Sequence, residues 1–264
     1  MAGFTARQVQ ALRQATGVGM LDAKRALEAC EGDVEGATRW LREKGLSDRA
    51  KRLDRVATQG AVAVATSGSA AAMVELRCET DFVAKAAEFV ALADALAQSV
   101  AAGGPEAVAE HQEEVDRLST ILKENISVGR VERLEAPAGA VVETYLHRQA
   151  GRGVNGVVVV LEGGSAELAH DVAVHIAFAR PEYLRREDVP EQDVAAERAT
   201  VEAMSRNEGK PEAALPKIVE GRMTGWFKER CLLEQPYAKD EKKSVGEILG
   251  GAQIVRFVQV VVGS

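Results

Sequence analysis

The sequence predicts an α+β fold with three parts: an N-terminal three-helix module, a duplicated α+β core with antiparallel sheets, and a protruding antiparallel helical hairpin. Three observations predict it. Apolar residues recur at helical spacing in three short N-terminal segments. A hairpin signal followed by a helix and a Pro-Glu pair occurs twice, and heptad-spaced apolar residues flank a cluster of helix breakers. Apolar residues make up 46% of the 264-residue chain, which is enough for packed cores.

Residues 1–55 form the predicted N-terminal module with its linker. They carry 11 Lys and Arg against 8 Asp and Glu, whereas the whole chain has a net charge of −7. Thr5 and Gln8 predict a capping box at the start of the first helix. Gly45 predicts the end of the third helix, and the charged segment 46–58 predicts a helical or flexible linker. The apolar residues at helical spacing are Val9, Leu12, Met20, Ala23, Leu27, Val34, Ala37 and Leu41.

The core is predicted as two related subdomains, one at residues 56–140 and one formed by residues 141–188 and 236–264. In the first, Thr80 or Asp81 can cap a helix. The predicted elements of the first subdomain are strands at 60–66 and 70–77 and helices at 80–100 and 106–121. Those of the second are a strand that opens at 139, a partner strand at 157–161, a helix containing Leu168, Val172 and Ile176, and a final strand at 254–262.

Residues 189–235 predict the antiparallel helical hairpin. A breaker cluster at 207–211 separates two helices, with Pro190 in the first turn of one and Pro216 at the start of the regular part of the other. The narrow apolar seam predicts that the hairpin projects from the body. Its heptad-spaced residues are Val194, Val201, Val219, Trp226 and Leu233.

Composition argues against several classes of function. An acidic chain is a poor binder of nucleic acid phosphates, and no apolar run reaches the roughly 18 residues of a membrane span. The N-terminus lacks the apolar segment of a signal peptide, and Cys30, Cys78 and Cys231 are odd in number and far apart. We therefore expect reduced thiols, a cytoplasmic location, no direct nucleic acid partner and no membrane partner.

Residues 151–156 read GRGVNG, a match to the dinucleotide-binding pattern GxGxxG. That site needs a helix after the third glycine, but the four valines at 157–160 predict a strand. A glycine-rich loop that joins two strands is the better interpretation. No other pattern of catalytic residues, metal ligands or phosphate-binding glycines stands out, so we expect no enzyme activity, no metal and no cofactor.

Two segments are unusual: LRQATGVGMLDAKRAL at residues 12–27 and ELRCETDFVAK at residues 75–85. Each can be structural, as a helix–turn–helix and as a strand before a capped helix. Both also resemble the signatures of the elongation factor Ts family, bacterial guanine-nucleotide exchange factors for elongation factor Tu. GKPE with VEGRM in the hairpin, and Tyr145-Leu146-His147 with the valine strand, extend the resemblance along the chain. The chain departs from the family at Arg77, where Asn is usual, and in a longer glycine-rich loop at 149–156.

The resemblance implies a ubiquitin-associated-like N-terminal module and a protein that binds elongation factor Tu, both GDP-bound and nucleotide-free. It would promote GDP release by disturbing the magnesium and phosphate site, which allows GTP to rebind. The implied contacts are Thr80, Asp81, Phe82 and Val83 in the core and Leu12, Met20 and Lys24 in the module. Weaker candidates are Asn125, Ile126 and His147.

Two other classes of function stay open from the sequence. One is an adaptor whose three-helix module binds ubiquitin-like or helical ligands, which activity of residues 1–55 alone would favour. The other is a dinucleotide enzyme that uses GRGVNG, which binding of a nicotinamide cofactor would favour.

Overall fold

The N-terminal module consists of three helices: α1 (Ala6–Thr16), α2 (Met20–Ala29) and α3 (Val34–Ala50). The structure, a computed structural model, describes residues 3–50 and 54–264. The capping box at Thr5 and Gln8 is confirmed. The expectation that Gly45 ends the third helix is wrong, because α3 continues to Ala50. Gly45 is buried, and a Cβ atom there would lie 2.9 Å from Thr120, so glycine at this position permits close helix packing.

The first repeat begins with an antiparallel hairpin, β1 (Gln59–Ser67) and β2 (Ala70–Cys78). The predicted long helix is divided, because Ala86 is extended and separates the one-turn helix α4 (Asp81–Ala84) from α5 (Ala87–Gly103). The second predicted helix starts as a 3₁₀ segment and becomes α6 (Gln112–Leu122). A strand that the sequence analysis missed, β3 (Ser127–Glu135), pairs with β2 and completes the sheet in the order β1-β2-β3.

The second repeat opens with β4 (Ala140–Gln149), β5 (Arg152–Glu162) and α7 (Ala166–Ala179). The strand predicted after GRGVNG is confirmed, and no helix follows the glycines. The expectation of a glycine-rich loop at 149–156 is wrong: Ala150 and Gly151, both with positive φ, form a two-residue turn, Gln149 ends β4, and residues 152–156 belong to β5. Gly156 lies against the first sheet, where a Cβ atom would be 2.5 Å from the Met73 sulfur.

The predicted helical hairpin is formed by α8 (Glu191–Asn207) and α9 (Leu215–Arg230), with Pro216 in the first turn of α9. Val201 and Val219 are buried in its own apolar cluster, as the heptads predict. Leu233 departs from the prediction because it lies beyond the end of α9 and packs on the second core. Met223 and Phe227 are buried in the hairpin cluster instead.

A short ribbon of β6 (Pro236–Tyr237) and β7 (Asp240–Ser244) follows, then α10 (Val245–Ile248) and β8 (Gln253–Val261). Strand β8 pairs with β5, so the second sheet has the order β4-β5-β8. In both sheets, therefore, a later strand adds antiparallel to the second strand of a hairpin. This confirms the predicted duplication of an α+β unit.

The core is built in four layers. Helix α5 packs on the outer face of the first sheet, and α7 packs on the outer face of the second. The inner faces of the two sheets meet in a third cluster that includes Val62, Met73, Val158 and Val160. Among the helices of the described residues, none is long and apolar enough to cross a bilayer.

Candidate partner-binding loop

Helix α4 is a single turn that presents one aromatic side chain to solvent. Thr80 caps it, since its backbone is extended and its Oγ1 accepts a hydrogen bond from the Val83 amide at 3.4 Å. Ala84 is buried and Val83 packs against the first core. Phe82 points away and is 82% exposed. Because Val83 and Ala84 hold the turn against the core, the Phe82 ring on its opposite side stays at the surface.

Hydrogen bonds between residues 79–80 and residues 124–125, called the Glu124 clasp below, hold the start of this loop. The carboxylate of Glu124 accepts hydrogen bonds from the amides of Glu79 (3.0 Å) and Thr80 (3.1 Å) and from Thr80 Oγ1 (2.5 Å). In return, Glu79 Oε1 accepts from the Asn125 amide at 2.7 Å. Hydrogen bonds to ionised carboxylates are stronger than neutral ones, so this clasp orders the residues before Phe82.

Sequence reasoning missed Glu124. The carboxylate is 44 residues from Thr80 along the chain, and no spacing rule connects the two. Only the position of Asn125, a weaker candidate one residue later, pointed near it.

The charge next to Phe82 is fixed locally. Lys85 Nζ lies 2.5 Å from Asp81 Oδ2, one helical turn away. This hydrogen bond holds the pKa of the Asp81 carboxyl below its usual range, and the Lys85 and Arg152 charges act in the same direction. Asp81 therefore stays ionised at neutral pH, in the first turn of a helix where a negative charge is favourable.

Two neighbouring residues have structural roles. The Cys78 thiol donates to the Thr80 carbonyl at 3.2 Å, and burial raises the pKa of Cys78 to about 12, with Glu124 as a further cause. It is therefore a neutral thiol at pH 7. Arg77 pairs with the buried carboxylate of Glu75, with Nη2 at 2.7 Å. The Arg77 side chain is therefore used for an ion pair within the first repeat.

The candidates in the N-terminal module divide into surface and core. Met20 is 51% exposed at the start of α2, and the Lys24 side chain is also exposed, 3.6 Å from Glu28. Leu12 is only 1% exposed and packs inside the module, so it supports the shape of the module and has no free surface for a partner. Leu21, which the sequence analysis passed over, is 59% exposed beside Met20.

The weaker core candidates also separate. Ile126 is fully buried in the first core, and Asn125 is 5% exposed, with its amide nitrogen donating to the Arg55 carbonyl at 2.8 Å. Both therefore support the loop from below. His147 is exposed near the end of β4 in the other repeat, so the structure does not bring it to Phe82.

The metal-ligating side chains of the described residues are spread over the fold. Among residues 3–50 and 54–264, no three His, Cys, Asp or Glu side chains are grouped closely enough to hold a metal ion. His175 is buried with its Nε2 3.0 Å from Gln235 Oε1, and burial lowers its pKa. His170 lies at the surface, 3.2 Å from Glu143.

Comparison with known proteins agrees with this architecture. The model of the elongation factor TS family matches residues 79–264. The elongation factor Ts of Clavibacter michiganensis subsp. michiganensis is 49% identical over the whole of both chains. That of Kineococcus radiotolerans is 47% identical over 96% of each chain, and that of Acidothermus cellulolyticus is 44% identical over all of this chain and 99% of its own.

The fold, the exposed loop and these likenesses define the class of protein as a translation elongation factor. The family match begins after β2 and covers α4, the rest of the first repeat, the second repeat and the helical hairpin. The full-length relatives cover β1, β2 and the N-terminal module as well. The chain belongs to the elongation factor Ts family.

Proposed function

We propose that this protein binds elongation factor Tu, in its GDP-bound and nucleotide-free forms, and accelerates release of GDP without catalysing a chemical reaction. The observation that carries the proposal is Phe82, a large apolar side chain that is 82% exposed on a turn held by hydrogen bonds. The fold does not need this ring at the surface. A rigid exposed aromatic is the type of residue that anchors a protein interface.

The loop acts on the magnesium and phosphate site of the partner. Phe82 enters an apolar cleft of the GTPase, Asp81 lies beside it, and Thr80 and Val83 hold the turn. Magnesium neutralises the charge of the nucleotide phosphates, so its displacement weakens GDP binding. Binding of the factor and binding of the nucleotide to the partner are thermodynamically linked. If bound nucleotide weakens the binding of the factor by a given ratio, the bound factor weakens the binding of nucleotide by the same ratio.

The N-terminal module supplies a second contact through Met20 and Lys24. These two side chains lie on one exposed face at the start of α2, in a segment with more basic than acidic residues. Such a contact adds affinity but does not touch the nucleotide. We place the protein in the cytoplasm, where its partner works, and assign it no nucleic acid or membrane partner.

The proposal is tested by release of fluorescently labelled GDP from purified elongation factor Tu, with and without this protein. We expect release to accelerate with protein concentration and to saturate. The gain should shrink when magnesium is already chelated, because the same contact is then lost by both routes. An undiminished gain in chelator would contradict the magnesium route, and no gain under either condition would contradict the proposed function.

A further inference from the structure

Three polar side chains on the helices of the first repeat are arranged as a serine, a histidine and a carboxylate in series. Ser99 Oγ lies 2.8 Å from His111 Nε2, and the other ring nitrogen of His111, Nδ1, lies 3.6 Å from Glu114 Oε2. Ser99 belongs to α5, His111 ends the 3₁₀ segment Pro105–His111, and Glu114 lies in the first turn of α6. A hydroxyl beside a base that a third group orients is the arrangement by which proteins activate a nucleophile.

The Glu114 carboxylate decides which ring nitrogen of His111 carries the proton in the neutral ring. A proton on Nδ1 lies near the negative charge of Glu114, whereas a lone pair on Nδ1 would face that charge. The form with the proton on Nδ1 is therefore favoured, and its Nε2 lone pair accepts a hydrogen bond from the Ser99 hydroxyl. Ser99 thus donates to His111, which is the direction in which His111 acts as a general base.

The surroundings of the three side chains select the kind of molecule that can react there. The His111 side chain is 18% exposed and that of Glu114 is 48% exposed, while Ser99 is half-buried, so a small molecule can approach from solvent. The segment 105–117 contains five acidic residues and one arginine. This surplus of negative charge repels an anionic phosphoryl donor and leaves an uncharged acyl donor unaffected.

The position of Ser99 inside a helix limits what the group can do. Backbone amides in the interior of α5 donate to carbonyls four residues earlier, so they do not stabilise the oxyanion that forms during acyl transfer. Without such donors, an acyl group that reaches Ser99 is released slowly. The arrangement therefore fits a residue that becomes modified once and not an enzyme that turns over.

We propose that Ser99 is an acylation site, with His111 as the general base and Glu114 as a positioning residue, and that it accepts an uncharged acyl group from an activated ester or thioester. The Ser99 oxygen attacks the acyl carbon and its proton passes to His111 Nε2, while the bond to the leaving oxygen or sulfur breaks. His111 then gives the proton to the leaving group, so the products are an O-acyl serine and a free alcohol or thiol. The Ser99 hydrogen bond that joins α5 to the 3₁₀ segment is lost in the product.

The test treats the full chain with para-nitrophenyl acetate and follows acetylation of Ser99 by mass spectrometry after trypsin digestion. Cleavage after Lys85 and Arg117 releases residues 86–117, in which Ser99 is the only hydroxyl residue and no lysine occurs. This peptide separates acetylation of Ser99 from acetylation of amines elsewhere in the chain. We expect Ser99 to react at least about a hundredfold faster than Ser165, whose hydroxyl accepts a hydrogen bond from the Leu168 amide.

Variants identify the role of each side chain. Ser99→Ala should abolish the acetylated peptide, and His111→Gln should slow its formation about a hundredfold, the lower end of what a general base contributes. Glu114→Gln should slow it severalfold, and Glu114→Asp should restore most of the rate. The matched control is His170→Gln, which removes an exposed histidine that also pairs with a glutamate, Glu143, and should have no effect.

The outcomes decide the proposal independently of GDP release, because the assay contains no elongation factor Tu. Acetylation of Ser99 that is no faster than that of Ser165 would overturn the site in the unaltered protein, whatever the variants do. Equal rates for His111→Gln and the unaltered protein would overturn the general-base role. Unchanged thermal unfolding of the variants verifies that a slower rate reflects the chemistry at Ser99 and not a loss of fold.

Discussion

Phe82→Ala removes the side chain on which the proposed exchange loop depends. Fully burying a Phe side chain is worth roughly 1.5–3 kcal/mol. Because Phe82 is 82% exposed, about four-fifths of that value, roughly 1.2–2.5 kcal/mol, is available to an interface and almost none is used by the fold. We therefore expect stimulated GDP release at limiting protein to slow roughly 8- to 70-fold.

The assay compares labelled GDP release with thermal unfolding of the same preparations. The free energy of unfolding should change by less than about 0.5 kcal/mol, as for other surface substitutions. Phe82→Leu should retain part of the activity, and Val255→Ala, which truncates an exposed apolar side chain on β8, should retain all of it. Normal release by Phe82→Ala would refute the anchor role, and a large loss of stability would show that the ring supports the fold instead.

Three further predictions follow from the structure. Glu124→Gln removes the charge that orders the loop and should slow stimulated GDP release about tenfold. The double variant with Phe82→Ala should be no slower than Phe82→Ala alone, and additive losses would contradict a role of Glu124 through the loop. Gly45→Leu should loosen the packing of α3 against the core and accelerate proteolysis at residues 46–58, and unchanged cleavage would contradict this packing role. The hydrogen bond from Lys239 holds the pKa of the Asp171 carboxyl below its usual range. Asp171→Asn should therefore destabilise the protein at pH 7 in urea unfolding, and the difference should shrink as the pH falls through that lowered pKa and the carboxyl becomes protonated; a constant difference would contradict the pair.

The elements that the sequence predicted well are those with local signals. The Thr5 capping box, the turn between β1 and β2, and the start of α9 near Pro216 each depend on residues that are close together in the sequence. Errors occurred where distant packing decides the structure. A glycine at this position predicts a helix end when only its neighbours in the sequence are considered. In the structure Gly45 instead allows a close approach to Thr120, which is 75 residues away in the sequence. Strand β3 was missed because it is an edge strand whose residues are mostly half-buried, which weakens the apolar alternation.

The candidate site shows the same division. The exposed position of Phe82 was predictable, because a large apolar residue in the first turn of a capped helix has few neighbours. The division of the predicted helix at Ala86 was not, and neither was the burial of Ile126. These depend on which face of each element the rest of the chain covers, and a short motif does not carry that information.

One turn of the chain connects the two proposed contact surfaces. Lys123, which ends α6 in a left-handed conformation, lies 3.2 Å from Asp22 of α2. The next residue, Glu124, holds Thr80 at the start of α4. The N-terminal module and the Phe82 loop are therefore held by two consecutive residues, Lys123 and Glu124. Much of the conformational entropy of placing one surface relative to the other is thus lost when the chain folds and not when it binds a partner. Because ordering on association opposes affinity, a pre-arranged pair of surfaces binds more tightly than the same surfaces on a flexible linker. The exposed Lys123–Asp22 pair is itself weak, so the arrangement depends mainly on the Glu124 clasp and on the close packing at Gly45.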